Sequence, residues 1–285
     1  MIGFCRESWV RYNAAMRWTL ADIPWEKFDR AKVDHEILRL VKAASLVERN
    51  GEDYARYLCG VFAGDAAFQA AARQWGVEEV QHGEALGRWA MLADPSFDHA
   101  AACARFTAGF RVDLNAAASV RGSRAGELVA RCIVETGTSC YYTALAEASA
   151  EPVLQVICRR IAADELRHYK LFLTHLERYL AQEGLGFWGR LGVALGRIRE
   201  SEDDELAFAY HAANHPELAY DRRRTARDHA RRAYAIYRRH HVERGIAMVL
   251  KAVGLTPNGR LNRLATNLGW RFMQRRVARW SREAA

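Results

Sequence analysis

The feature that most constrains this sequence is a pair of polar residues inside an apolar helical stripe between residues 153 and 175. Apolar residues recur there at helical spacing, and the stretch contains neither proline nor glycine. Glu165 and His168 lie on the same stripe, three residues apart, so their side chains are neighbours on one helix face. A carboxylate and an imidazole are costly to bury among apolar side chains unless they are paired, hydrogen-bonded or bound to a metal. In helical bundles, Glu-x-x-His is the spacing by which one helix supplies two metal ligands to the core.

A second pair with this spacing, Glu79 and His82, lies in another helical run between Phe68 and Trp89. The chain has 285 residues, of which 10 are His and 21 are Glu. At these frequencies about 0.7 Glu-x-x-His pairs are expected by chance. The two pairs by themselves are therefore a weak signal for a metal site. The signal is stronger if further carboxylates lie at the same depth in the bundle.

Glu48 is the first of these further carboxylates, because a bundle site takes one carboxylate from each of two additional helices. Two antiparallel helices bring residues to one level when both residues lie equally far from the connecting turn. The midpoint between Glu48 and Glu79 falls on Gly64-Asp65, which is a turn signal. Glu52 lies one helical turn beyond Glu48 on the same face and is the alternative ligand.

Glu135 is the second carboxylate and satisfies the same condition. The midpoint between Glu135 and Glu165 falls beside Glu151-Pro152, where proline suits the first turn of a new helix. Both helical hairpins would thus bring their ligands to one depth. Thr138 follows Glu135 by one turn on the inner face, where its hydroxyl either points into the site or bonds its own backbone.

The sequence predicts an all-α fold, because half of its residues are hydrophobic, only five are proline, and no long run alternates with the period of a strand. The expected organisation is a ferritin-like four-helix bundle with one long crossover, at 34–183. A segment at 1–33, which holds Trp9, Trp18 and Trp25, is expected to pack on the bundle, and 184–285 forms a basic C-terminal helical extension. The predicted bundle helices run from Asp34 to Phe62, from Asp65 to Leu92, from Gly122 or Ser123 onward, and from Val153 through His175, with a short crossover helix from Ala100 to Phe110.

The C-terminal part is strongly basic, with 17 Lys and Arg against 4 Asp and Glu from Asp221 onward. It is a solvated helical surface, or it meets an acidic protein or an anionic membrane. The last two are favoured by apolar residues set among arginines, namely Leu261, Leu264, Leu268, Phe272 and Trp280. No recognised nucleic-acid-binding motif accompanies the charge, so no nucleic acid partner is expected.

A cytoplasmic location is expected from three features. No apolar run is long enough to span a membrane, and Met1–Thr19 lacks the uninterrupted apolar centre of a signal peptide. The six cysteines are scattered without a Cys-x-x-Cys, as expected for reduced cysteines that act as small hydrophobes.

The two His-containing segments resemble those of the soluble acyl-carrier-protein desaturases. Trp75-Gly-Val-Glu-Glu-Val-Gln-His-Gly-Glu-Ala-Leu86 looks like their first Glu-x-x-His helix, and Ile161-Ala-Ala-Asp-Glu-Leu-Arg-His168 is very similar to their second. Glu135-Thr-Gly-Thr138 is similar to their third ligand segment, whereas the segment around Glu48 matches more loosely and has Arg49 in place of a second glutamate. The resemblance covers roughly residues 40 to 180.

This resemblance implies a di-iron centre, a homodimer, and O2-dependent chemistry with electrons from a ferredoxin-like donor. The implied metal ligands are Glu48, Glu79, His82, Glu135, Glu165 and His168, with Glu79 and Glu165 bridging the metals. The implied catalytic residues are Thr138, beside the oxygen pocket, and Asp164, in a path from a ligand histidine to a surface tryptophan. Trp25 is the tryptophan we expect there.

Carboxylate and imidazole ligands without thiolate suit two Fe ions, with Mn or a mixed Mn/Fe pair as alternatives. The expected function is a di-iron, O2-dependent oxidase or desaturase acting on an acyl chain or a similar apolar substrate, with the basic end meeting an acidic acyl carrier protein. Hydroxylation or N-oxygenation of another small substrate fits the same site. Ferritin-like or rubrerythrin-like handling of iron or peroxide, and a metal-free binding bundle, are the other readings.

Overall fold

The computed structural model describes residues 18–200 and 204–283. Within these two ranges the chain is helical and contains no β-strand, which confirms the predicted all-α class. None of the helices in the described part of the chain is both long enough and apolar enough to cross a membrane. Part of the predicted segment 1–33, including Cys5 and Trp9, lies outside the described residues.

Three short 3-10 turns, Leu20–Asp22, Trp25–Lys27 and Arg30–Lys32, precede the first α-helix. The helices of the bundle region are α1 (His35–Arg49), α2 (Gly51–Val61), α3 (Ala66–Ala93), α4 (His99–Gly109), α5 (Arg124–Ala148) and α6 (Pro152–Glu183). The helices that follow are α7 (Phe187–Glu200), α8 (Asp204–Asn214), α9 (Arg222–Ile236), α10 (Arg239–Ala252) and α11 (Arg260–Glu283).

Local signals fix most helix ends. The Asp34 carboxylate accepts hydrogen bonds from two backbone N–H groups in the first turn of α1, and the Ser123 hydroxyl accepts one in α5. Pro152 occupies the first turn of α6, and Gly184 ends that helix in the left-handed conformation with φ +67°. The predicted starts and the predicted crossover helix are therefore close to the observed ones.

The prediction of one continuous helix from Asp34 to Phe62 is wrong, because the helix divides at Asn50 into α1 and α2. The break allows a close approach to α3. A Cβ atom on Gly51 would lie 2.3 Å from Cβ of Glu79, so only glycine fits at this crossing. A second such break, at Tyr237 and Arg238, separates α9 from α10.

The helices pack as two hairpins. The short connection at 149–151 makes α5 and α6 antiparallel neighbours, while α1 and α2 lie along α3. Contact between α3 and α6 joins the hairpins. In the described ranges α1 and α5 do not pack along each other; instead α8 packs on α1, α10 packs on α5, and α9 contacts both. The C-terminal helices thus close the remaining side of the bundle.

The buried apolar side chains form two clusters at different levels of the bundle. One cluster includes Leu46, Leu86 and Ile161, and the other includes Leu58 and Phe172. Along α3, α5 and α6, and along α1 followed by α2, the Glu and His residues of interest fall between the parts that supply the two clusters. A polar layer therefore lies between two apolar layers, which shield it from water.

Candidate metal centre

Six acidic and histidine side chains meet in the layer between the two apolar clusters. They form two groups of four, and in each group the potential ligand atoms lie within 4.8 Å of one another. The first group is Glu48, Glu79, His82 and Glu165, and the second is Glu79, Glu135, Glu165 and His168. Glu79 and Glu165 belong to both groups. The six residues that the sequence analysis selected are thus brought together, one or two from each of α1, α3, α5 and α6.

The Nδ1 atoms of the two histidines face the centre of the cluster. Nδ1 of His82 lies 3.2 Å from Oε1 of Glu165 and 3.6 Å from Oε2 of Glu48. Nδ1 of His168 lies 3.0 Å from Oε1 of Glu79 and 3.6 Å from Oε2 of Glu135. Each imidazole therefore lies among carboxylates from other helices.

The inner atoms of this cluster lack hydrogen-bond partners although all six residues are more than nine-tenths buried. The atoms concerned are Oε2 of Glu48, Oε1 of Glu79, Nδ1 of His82, both oxygens of Glu135, Oε1 of Glu165 and Nδ1 of His168. Buried polar atoms without partners are costly, and a bound cation satisfies several of them at once. The donor set therefore fits a metal ion in each group of four.

The outer nitrogens of the two histidines are held in a reciprocal way. Nε2 of His82 on α3 lies 3.0 Å from Oδ2 of Asp164 on α6, while Nε2 of His168 on α6 lies 2.9 Å from Oε2 of Glu78 on α3. A carboxylate behind a histidine fixes the ring so that its other nitrogen is available to a metal. The family resemblance predicts a role for Asp164 but none for Glu78. The available signal was an acidic residue immediately before the glutamate of each Glu-x-x-His.

Arg167 connects the two outer carboxylates. Its Nη2 atom lies 2.5 Å from Oδ1 of Asp164 and 3.4 Å from Oε2 of Glu78. The guanidinium is mostly buried, so its positive charge offsets part of the negative charge behind the histidines. Arg167 immediately precedes His168, at a position where the Glu-x-x-His motif accepts any residue. The motif spacing therefore gives no information about its role.

The tryptophan behind Asp164 is Trp18, so the expectation of Trp25 is wrong. Nε1 of Trp18 donates to Oδ2 of Asp164 at 2.7 Å, and its ring stacks over the His82 ring with centroids 6.0 Å apart. Trp25 instead donates to the backbone carbonyl of Leu20. Trp18 is buried, whereas the expectation placed a surface tryptophan at this position.

Glu48 is the carboxylate that α1 contributes, and Glu52 is exposed. The break at Asn50 changes the helical phase, so Glu52 no longer shares the inner face. Oε1 of Glu48 accepts a hydrogen bond from the Tyr142 hydroxyl at 2.5 Å, which leaves Oε2 directed at the cluster. Tyr142 therefore links α5 to α1 across the centre.

Thr138 contacts the cluster directly. Its Oγ1 atom lies 2.6 Å from Oε2 of Glu165, and it also lies 3.3 Å from the backbone oxygens of Val134 and Glu135. The Thr138 hydroxyl therefore contacts both its own helix backbone and the cluster, which were the two alternatives predicted from the sequence. Thr138 is only half-buried, and Gly137 beside it is exposed, so this edge of α5 reaches solvent.

The electrostatics of the cluster favour added positive charge. Burial and the neighbouring charges of Glu165 and Glu48 raise the pKa of Glu79 well above its usual range, and burial with the charge of Glu165 raises that of Glu135 to about 8. Burial disfavours charged imidazoles, yet the surrounding carboxylates raise the pKa of His82 and His168 well above its usual range. Protons thus compensate the carboxylates when no cation is bound, and metal binding would release them.

Glu147, His240 and His241 form a further group of potential ligands near the surface. Nδ1 of His241 accepts a hydrogen bond from the backbone N–H of Arg238 at 2.9 Å, so its ring proton is on Nε2, which has no lone pair for a metal. That Nε2 lies 3.2 Å from Oε2 of Glu147 without a hydrogen bond, and Nε2 of His240 lies 3.1 Å from Oε1 of Glu147. The group is a polar link between α5 and α10.

The chain matches no known family model, and no curated protein matches it either.

Proposed function

We propose that the six side chains hold two iron ions, with Mn or a mixed Mn/Fe pair as the alternative loading, and that the protein is a di-iron, O2-dependent oxidoreductase on a ferritin-like bundle. The observation that carries this proposal is the division of the cluster into two groups of four that share Glu79 and Glu165. Glu79 and Glu165 would help to hold both cations, because each belongs to both groups. Carboxylate and imidazole ligands without thiolate suit iron and manganese.

Charge supports two divalent ions rather than one. Four carboxylates enter the cluster, and two divalent cations neutralise them in a layer that apolar side chains close on both sides. When bound, such an iron pair supplies the electrons that activate O2 for attack on an unactivated C–H bond.

The residues of the chain have separate tasks in this proposal. Asp164 and Glu78 orient the two histidines and keep their inner nitrogens free for a metal. Thr138 holds a proton at Oγ1, beside Glu165 and on a half-buried edge of the centre. The apolar layers on both sides exclude water, so that oxidising power is not lost to solvent.

The substrate class we propose is an acyl chain or a similar apolar molecule, possessing C–H bonds that only a strong oxidant attacks. The desaturase-like sequence of the ligand segments supports this choice, as does the apolar lining above and below the polar layer. The partners that accompany the proposal are a ferredoxin-like electron donor, a second copy of the chain and an acidic acyl carrier protein. Hydroxylation and N-oxygenation are alternatives on the same centre.

The test begins with metal. Metal-free protein titrated anaerobically with Fe(II) is expected to bind two ions per chain, and the loaded protein is expected to consume O2. Acyl thioesters or free fatty acids are then added with a reductant, and mass spectrometry reports loss of two hydrogens or gain of one oxygen. A chain that binds no iron or manganese refutes the proposal. Oxidation of many iron ions per chain into a mineral would assign the centre to iron storage instead.

A further inference from the structure

Helix α11 carries a row of large apolar side chains on its outer face. The row follows helical spacing, and its members are 48, 57, 59 and 56% exposed, in the order Leu261, Leu264, Leu268 and Phe272. The opposite face of α11 is buried against α9 and α10, through residues such as Asn262, Thr266 and Trp280. The apolar row therefore points away from the protein.

A row of this kind differs from the scattered apolar residues found on most surfaces. From Leu261 to Phe272 it extends for about 16 Å along the helix, at 1.5 Å per residue. Contiguous exposed apolar surface on a soluble chain marks a binding surface. The buried face of α11 already packs against α9 and α10, so the exposed apolar row is not needed to hold the helix in place.

The charge around the row has one sign. Seven of the 24 residues of α11 are arginine, and a single residue is acidic. Arg271 lies beside Phe272, and Arg275 and Arg279 continue the outer face beyond it at helical spacing. An apolar row with guanidinium groups beside it is the pattern of helices that lie in the plane of an anionic membrane surface.

A cavity lined by arginines adjoins this helix. It has a volume of about 400 Å³ between α9 and α11. Its lining comprises Asp221, Arg223, Arg224, Ala226, Arg227, Arg276, Arg279 and Trp280. Arg276 lies over the Trp280 ring at 4.5 Å and over the Phe272 ring at 5.4 Å, so the cavity and the apolar row are continuous. Clustered guanidinium groups suit the phosphate of a lipid headgroup.

We propose that the outer face of α11 binds an anionic phospholipid surface, with the apolar row at the headgroup–acyl boundary and the arginine-lined cavity on the lipid phosphates. A single exposed helix face is convex, and lipids deform around it, whereas a protein partner would need a matching apolar groove. The flexible arginine side chains reach headgroups while their stems lie along the acyl region. None of these residues belongs to the carboxylate–histidine centre.

The experiment is flotation of the full chain with phosphatidylcholine vesicles that contain or lack phosphatidylglycerol. The intact chain is expected to bind the anionic vesicles, more weakly at high salt, and to leave the neutral ones unbound. The variant L264S/L268S/F272S and the variant R223Q/R224Q/R279Q are each expected to bind at least about tenfold more weakly. The matched control is V77S, which removes an exposed apolar side chain on α3.

Circular dichroism must show that each variant is folded, because weak binding by an unfolded chain has no meaning. Glu165→Gln is expected to bind vesicles as the intact chain does. Lipid binding by α11 can therefore be tested independently of the proposed metal centre. Equal binding by the apolar variant, or by neutral vesicles, overturns the proposal. If the intact chain is a dimer that does not bind vesicles, and L264S/L268S/F272S is a monomer, the face binds a second copy of the chain instead. Tight binding of polyglutamate with no binding of vesicles assigns it to an acidic protein.

Discussion

The outer nitrogen of His82 is bound to Asp164, which belongs to the Glu-x-x-His segment of the opposite helix, at a distance of 3.0 Å. His168 makes the corresponding contact with Glu78 in the segment that carries His82. Each motif therefore orients the histidine of the other. The two halves of the site depend on each other, and neither helix could present its ligands correctly alone.

Glu165→Ala is expected to abolish metal binding while the fold survives, because Glu165 belongs to both groups of potential ligands. Although burial alone would raise it, contacts with His168 and His82 hold the pKa of Glu165 well below its usual range, so losing this carboxylate should lower the melting temperature of the metal-free protein without unfolding it. Elemental analysis after iron loading measures the effect. Glu177→Ala, on an exposed position of the same helix, is the control and should retain the metal. Stoichiometric iron in the Glu165→Ala protein would contradict the assignment.

Thr138→Val is expected to leave the metals in place but to slow O2 consumption by about tenfold or more in a single turnover, since it removes a proton held beside Glu165. Stopped-flow absorption of the iron-loaded protein measures the rate. Thr174→Val removes a hydroxyl that bonds only its own helix backbone on α6. That control should react at the normal rate, and an unchanged rate in Thr138→Val would remove Thr138 from the chemistry.

Glu78→Gln is expected to weaken metal affinity by about tenfold to a hundredfold, because the amide no longer fixes the His168 ring as a carboxylate does. Competition with a chelator measures the affinity with Co(II) or Fe(II). Glu84→Gln changes an exposed carboxylate on the same helix and should have no effect. Identical affinities in the two variants would show that Glu78 does not position the ligand.

Gly51→Ala is expected to destabilise the protein by about 1–3 kcal/mol, because the new Cβ would overlap Glu79 at the crossing of α2 and α3. Gly192→Ala on α7 has no atom within 4 Å of the added Cβ and should stabilise the protein by about 0.4–1 kcal/mol. Urea unfolding of the metal-free protein compares the two. A stable Gly51→Ala protein would mean that this close approach is not required.

The ion pair of Asp94 with Lys42 should make the free energy of unfolding depend on pH. Its carboxylate lies 2.6 Å from Nζ of Lys42, and this bond lowers the pKa of Asp94 to about 2. Because the folded pKa lies below the unfolded value of about 3.9, the stabilisation is present above pH 4 and is lost as the pH falls toward 2. Asp94→Asn should therefore lower stability at pH 6 and flatten this part of the profile, as followed by urea unfolding. Parallel profiles for the two proteins would contradict the prediction.

Much of the helical architecture was readable from the sequence, because helix ends and apolar stripes are local properties. Asp34, Ser123 and Gly184 act through their own side chains or backbone within one turn, so their positions predict helix boundaries directly. The level at which the ligands meet was also predictable. Two antiparallel helices joined by a short turn have a fixed register, and the turns at Gly64 and Glu151 were recognisable.

The choice among neighbouring candidates depended on contacts between distant parts of the chain. Asn50 interrupts the first helix so that Gly51 can approach Glu79, and this change of phase selects Glu48 over Glu52. Periodicity continues across such a break and gives the wrong face. Glu-x-x-His spacing could not reveal which acid lies behind each histidine either, because those hydrogen bonds cross between helices.

The sequence by itself determined that the chain is helical, where its bundle helices begin, and which side chains have the chemistry and spacing of metal ligands, with the choice between Glu48 and Glu52 left open. Only the tertiary structure decided that Trp18 rather than Trp25 contacts Asp164 and that Glu78 supports His168. It also decided that α11 turns its apolar row outward. The physical reason is the sequence distance over which each interaction acts. Helix caps and apolar periodicity depend on residues a few positions apart. Packing contacts join residues more than a hundred positions apart and depend on the shape of the whole bundle.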